Sequence, residues 1–261
     1  MFYQLSGVAD DSAPLIVLSS GLGGSGYFWQ PQLPAIESQY RVLVYDHLGT
    51  GRSPAKLPQD YSIAAMANEL RDLLQTLHVS SCHFVGHALG GLVGLLLALH
   101  LPKLLQSMVL INSWSSPNPH TRRCFHVRKA ILEHCDREIY LQTQALLLYP
   151  PDWIVNNVAR LEQQETDRAE NFPDAENLRL RIEALCAFDV GQQLSDIRVN
   201  TLVIANKDDT LIPWQCSEAL AHRLPNSKLQ LLDYGGHACT ITIADQINET
   251  LTSFLAETVE E

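Results

Sequence analysis

The sequence shows no secretory-signal pattern at its start, no long apolar run and no surplus of positive charge, and each of these argues against a class of function. The N-terminus, MFYQLSGVAD, lacks the basic region and apolar core of a secretory signal. A cytoplasmic location with reduced thiols is therefore expected. The longest apolar run, Leu92 to Leu101, is interrupted by Gly94 and His100. It is too short to span a bilayer, so no membrane partner is expected. Eighteen Lys and Arg stand against 29 Asp and Glu, a net charge of −11. That balance argues against nucleic acid and anionic membrane surfaces, which both demand basic faces. It leaves room for a small-molecule substrate, anionic ones included, because the local field of a cleft can oppose the global charge. Cys82, Cys124, Cys135, Cys186, Cys216 and Cys239 show neither C-x-x-C pairing nor His–Cys spacing. No metal is expected, and each thiol reads as core filler. Nothing in the sequence separates a monomer from a homodimer.

What is present points to one large α/β domain. Apolar residues make up 46% of 261, enough for a sizeable core. Short apolar runs alternate with longer helical patterns, the signature of a mostly parallel central sheet flanked by helices. The predicted strands are 15–20, 41–46, 82–87, 107–112, 201–206 and 228–232. Between the second and third, Ile63, Met66, Leu70, Leu73, Leu74 and Leu77 recur at helical spacing behind Ser62, a predicted N-cap. The rhythm stops after Asn112 and resumes at Thr201. Residues 1–113 and 196–261 are read as the core and 114–195 as a helical cap insert. The insert should lie over the sheet's C-terminal edge, where open α/β sheets place their ligands.

One further absence is local. "CHFVGHALGGLVG", residues 82–94, has the strand, the sharp turn and the small-residue helix of a Gly-x-Ser-x-Gly nucleophile elbow. Ala88 stands where the serine would be. Three other segments give that turn meaning. "SSGLGGSG", residues 19–26, can turn backbone N–H groups inward, so Leu22 and Leu89 N–H are candidates for an oxyanion hole. The loop matches neither phosphate-binding pattern, and no cofactor is expected. "NKDDTLIP" puts Asp208 and Asp209 just past a strand. Asp209 is read as the acid that orients an imidazole, and Asp208 as solvated. "YGGHACT" brings His237 over the sheet on a Gly-Gly loop. Elbow, acid, histidine is the α/β-hydrolase chain order. His87, beside the apex, is expected to pack beneath the turn.

Through these motifs the chain resembles the α/β-hydrolase family along nearly its whole length. "DHLGTGRS", 46–53, is similar to the family's D-x-R-G-x-G-x-S stretch, with Leu48 in place of the arginine. "SGLGGSG", "VGHALGGLVG", "HTRRCFHVR", "LYPPDW", "NKDDTLIP" and "YGGHACT" resemble, more narrowly, the RutD proteins of bacterial pyrimidine (uracil) degradation. That group also carries alanine at the elbow. The resemblance implies hydrolysis of a small labile C–N compound, carbamate or aminoacrylate. A His237–Asp209 pair would then assist direct attack by water. Arg122 and Arg123, in "HTRRCFHVR", are candidates to bind an anionic substrate over the cleft. Their alternative is pairing with acids on the insert's surface. Two further readings stay open: a non-hydrolytic enzyme of lyase or oxygenase type on the same fold, and a small-ligand-binding protein that has lost catalysis.

Overall fold

The computed structural model describes residues 1–259. Seven strands form one sheet in the order β1-β3-β2-β4-β5-β6-β7. They are β1 (Tyr3–Gly7), β2 (Leu15–Ser19), β3 (Arg41–Tyr45), β4 (Cys82–His87), β5 (Leu105–Ile111), β6 (Asn200–Asn206) and β7 (Ser227–Leu232). Strands β2 to β7 run parallel, and β1 pairs antiparallel with β3. The six predicted strands are those six parallel strands, displaced by no more than two residues at either end. The antiparallel edge strand β1 was missed. Its residues are mostly solvent-facing, so it shows no buried alternation to read.

Central strands β2, β4 and β5 are buried on both faces, as their unbroken apolar runs require. One face is covered by α1 (Leu33–Ile36) and, near the C-terminus, by α11 (Ala244–Val259). The other is covered by α2 (Ile63–Thr76), α3 (Leu89–His100) and α9 (Trp214–Arg223). The predicted crossover helix is α2. Ser62 caps it by accepting from Ala65 N at 3.2 Å, and Ile63, Met66, Leu70 and Leu74 are its buried stripe.

Between β5 and β6 the chain forms five consecutive helices: α4 (Pro119–His134), α5 (Arg137–Leu148), α6 (Pro151–Asn156), α7 (Val158–Glu170) and α8 (Ala175–Ala187). A short helix, α10 (Cys239–Thr242), follows the last strand. No helix among the described residues is long and apolar enough to cross a membrane.

Candidate active site

The site is built on the turn from β4 into α3. Ala88 has φ 49° and ψ −114°, a region an L-residue enters at a cost of roughly 1–3 kcal/mol. The turn is possible because its neighbours lack side chains. A Cβ on Gly90 would lie 2.1 Å from the Ser19 carbonyl oxygen, and one on Gly86 would lie 2.6 Å from the Gly90 backbone. Leu89 opens α3, and amides in a helix's first turn have no intrahelical acceptor. The loop after β2 passes against the same turn. A methyl group on Gly21 would sit 3.5 Å from the Ala88 Cβ and 3.1 Å from His87 Nδ1. Leu22, Ala88 and Leu89 all line one cavity of about 700 Å³, together with His237.

His237 and Asp209 meet as expected. The imidazole Nδ1 donates to Asp209 Oδ2 at 2.7 Å, and both side chains are almost wholly buried. The other carboxylate oxygen accepts from Leu211 N and Ile212 N, each at 2.8 Å. The backbone of the β6–α9 loop thus fixes the acid, and the acid fixes the ring. Asp208, expected to be solvated, is half-buried and accepts from Gly235 N and Gly236 N at 3.0 and 2.9 Å. It holds the loop that carries His237. The His237 carbonyl is held in turn by Asn112 Nδ2 at 2.9 Å and by His87 Nε2 at 2.8 Å.

His87 is buried against Phe28 and His237, with ring centroids 4.8 Å from each. Burial and then the nearby His237 push its pKa down to about 3, so the ring is neutral. Its Nε2 donates to the His237 carbonyl, which leaves Nδ1 as an acceptor without a partner. The ring also forms part of the cavity wall, so it does more than pack beneath the turn. Cys239 is fully buried beside Asn112 and does not line the cavity.

Arg122 and Arg123 require a correction. Both are exposed, and neither lines the cavity. Arg122 donates to the Cys186 carbonyl at 2.8 Å, so this arginine is tied to backbone on the cap's surface. The reason is helical phase: on α4 the buried positions are Thr121, Phe125 and Arg128, and residues 122 and 123 point away from them. Arg128, in the same segment, lines the cavity, as does Arg181 of α8. The 3.6-residue period of α4, read from Phe125, would have selected Arg128.

A family model described as the alpha/beta hydrolase fold matches residues 14–144. A protein of Stutzerimonas stutzeri strain A1501 named "Putative carbamate hydrolase RutD" is 54% identical over 257 residues, covering 98% of this chain and 97% of that one. One of the same name from Pseudomonas syringae pv. syringae strain B728a is 56% identical over 256 residues, covering 98% and 99%. The chain belongs to the RutD family of α/β hydrolases. Among solved structures, this RutD-family chain is similar to a hydrolase from Pseudomonas aeruginosa PA01, with 29% identity and a TM-score of 0.87 over 97% of this chain and 93% of that one. It is also similar to the enol-lactonase from Burkholderia xenovorans LB400, with 25% identity and a TM-score of 0.89 over 98% and 96%.

Proposed function

We propose that this RutD-family chain hydrolyses a small, labile C–N compound of pyrimidine breakdown, carbamate being the substrate in its relatives' name. The reaction proceeds by direct attack of water, with no acyl-enzyme. One observation carries this reading: a carboxylate-anchored imidazole shares a cavity with an elbow whose apex has no nucleophile. In carbamate hydrolysis the oxygen of water bonds to the carbon as His237 Nε2 takes a proton from it. The same imidazole returns the proton to nitrogen, the C–N bond breaks, and ammonia and bicarbonate leave. Leu22 N–H and Leu89 N–H receive the negative charge that builds on oxygen. His87 Nδ1, an unpartnered acceptor beside Ala88, can hold the second hydrogen of the attacking water.

Magnitudes make the missing serine acceptable. An oxyanion hole and substrate binding without a triad still give about 10³–10⁴-fold acceleration over water. A peptide bond would remain effectively inert under such help, whereas a compound that already decays in water would be cleared.

The test compares carbamate decay with and without protein, followed by ammonia release. His237→Asn should lose about 10²–10⁴ of the acceleration. An unchanged rate would overturn the scheme. Ala88→Ser should give a burst of nitrophenol from an activated ester that the native chain does not give. A burst from the native chain itself would mean that a covalent route exists without Ser at position 88.

A further inference from the structure

The cavity has a second property that the catalytic pair does not use. Among the described residues its wall contains four arginines, Arg128, Arg160, Arg168 and Arg181, and no aspartate or glutamate, in a chain where acids outnumber bases 29 to 18. Arg160 and Arg168 are exposed, where water solvates them. Arg181 is 2% exposed, and its guanidinium donates to Thr50 Oγ1 and the Leu48 carbonyl, with Glu69 in its field. It joins the cap to the loop after β3.

Arg128 has no such employment. It is 4% exposed, and one terminal nitrogen donates to Tyr140 Oη at 2.9 Å and Gln144 Oε1 at 3.2 Å, both neutral. Its Nε has no partner. Among the described residues no carboxylate pairs with it. A desolvated guanidinium with an unfilled edge is complementary to a planar carboxylate, which can take two parallel N–H donors. No described residue plays that part, so a ligand can.

Size points the same way. Carbamate has four heavy atoms and fills about 60 Å³, twice the ~30 Å³ share of a water molecule. The cavity of about 700 Å³ is on the order of ten times larger, and lies in the range of pockets that enclose much bigger ligands. Phe125 and Tyr140, buried in the wall beside Arg128, offer apolar surface that carbamate cannot cover.

We propose that Arg128 seats a substrate carboxylate, and that the preferred substrate is a small organic acid whose labile N-carboxyl (carbamate) group lies several bonds from that carboxylate. This rests on the C–N hydrolase reading above. For an N-carboxylated amino acid, the oxygen of water bonds to the carbamate carbon and the C–N bond breaks. The leaving nitrogen takes the proton, and an amino acid and bicarbonate result.

The experiment has two arms on the intact protein. In the first, acetate, butanoate and hexanoate are titrated calorimetrically and tested as inhibitors of carbamate decay. In the second, N-carboxyglycine, N-carboxy-β-alanine and N-carboxy-4-aminobutanoate, formed from each amino acid and bicarbonate at alkaline pH, are followed as they decay to the free amine. Binding should strengthen with chain length, and at least one should decay faster than it does without protein. Arg128→Gln should weaken carboxylate binding and raise KM by roughly 10- to 100-fold with kcat little changed. Arg128→Lys should recover part of the binding, and Arg123→Gln should match the native chain. If Arg128→Gln does not fold, the chain-length series and Arg128→Lys still decide the matter. Carbamate clearance together with carboxylate binding that ignores Arg128 and chain length would overturn the seat and leave the hydrolase reading standing. Arg128-dependent carboxylate binding without faster decay of carbamate or any N-carboxylated amino acid would keep the seat and remove the hydrolase reading.

Discussion

The two walls of the cavity are built on different terms. On the sheet side every working group is fixed by short hydrogen bonds: Asp209 by two backbone amides, Asp208 by two more, and the His237 carbonyl by the side chains of Asn112 and His87. On the cap side the wall is cationic, and two buried guanidinium groups keep an unpartnered Nε. A reacting group must be held within a few tenths of an ångström, and short loops leaving a rigid sheet can do that. A group that waits for ligand must keep bonding capacity unused. On the proposed reading, chemistry belongs to the sheet side and recognition to the helices over it, so each should be open to disturbance without the other.

The sharpest way to break this division is at the two neighbouring aspartates. Asp209→Asn keeps an acceptor for Leu211 and Ile212 but no longer accepts from the His237 ring with a full charge. The turnover number should fall about 10²–10⁴-fold with little change in melting temperature. Asp208→Asn loses one of two bonds to the histidine loop and should cost under about tenfold. A larger loss at 208 than at 209 would show that the loop, and not the ring's orientation, limits the rate.

A smaller effect concerns pH. His47 and His87 both belong to the sheet side. Burial, followed by the neighbouring Arg181 and His237 respectively, lowers each pKa to about 3. The unfolded chain takes up those protons near pH 6.5, while the native chain refuses them. Stability from each group is therefore present above pH 6.5 and is lost as pH falls. The slope is about 1.4 kcal/mol per pH unit per imidazole between roughly pH 6 and 4. Denaturant unfolding at pH 7, 6 and 5 reads this loss, and His87→Gln should flatten the slope by about half. The smallest effect belongs to the cap's outer surface. Arg122→Gln and Arg123→Gln should leave KM within about twofold and stability within about 0.5 kcal/mol.

How much was legible follows from what kind of signal each part leaves. The parallel strands bury both faces, so they appear as unbroken apolar runs. Loop–strand order then placed Asp209 and His237, because their chemistry depends on where a strand ends. Strand β1 leaves no such trace, being short, peripheral and largely wet. Asp208 was misread because a carboxylate that binds backbone amides looks in sequence like one that binds water. In the same segment, sequence reasoning reached Arg122 and Arg123 and missed Arg128. The phase of α4, marked by Phe125, carries the answer, since a helix hides one residue in three or four whatever its charge.

The conformation at Ala88 does not depend on a hydroxyl at that position. A methyl group has no use for a prominent position at the head of β4, yet the backbone adopts the left-handed turn. What the turn governs, then, is placement: it sets Leu89, the first residue of the twelve-residue α3, in the wall of the enclosed space, at the positive pole of that helix. A field that comes from the backbone is indifferent to the side chain at the apex, so it is available whether the apex carries a hydroxyl or a methyl group.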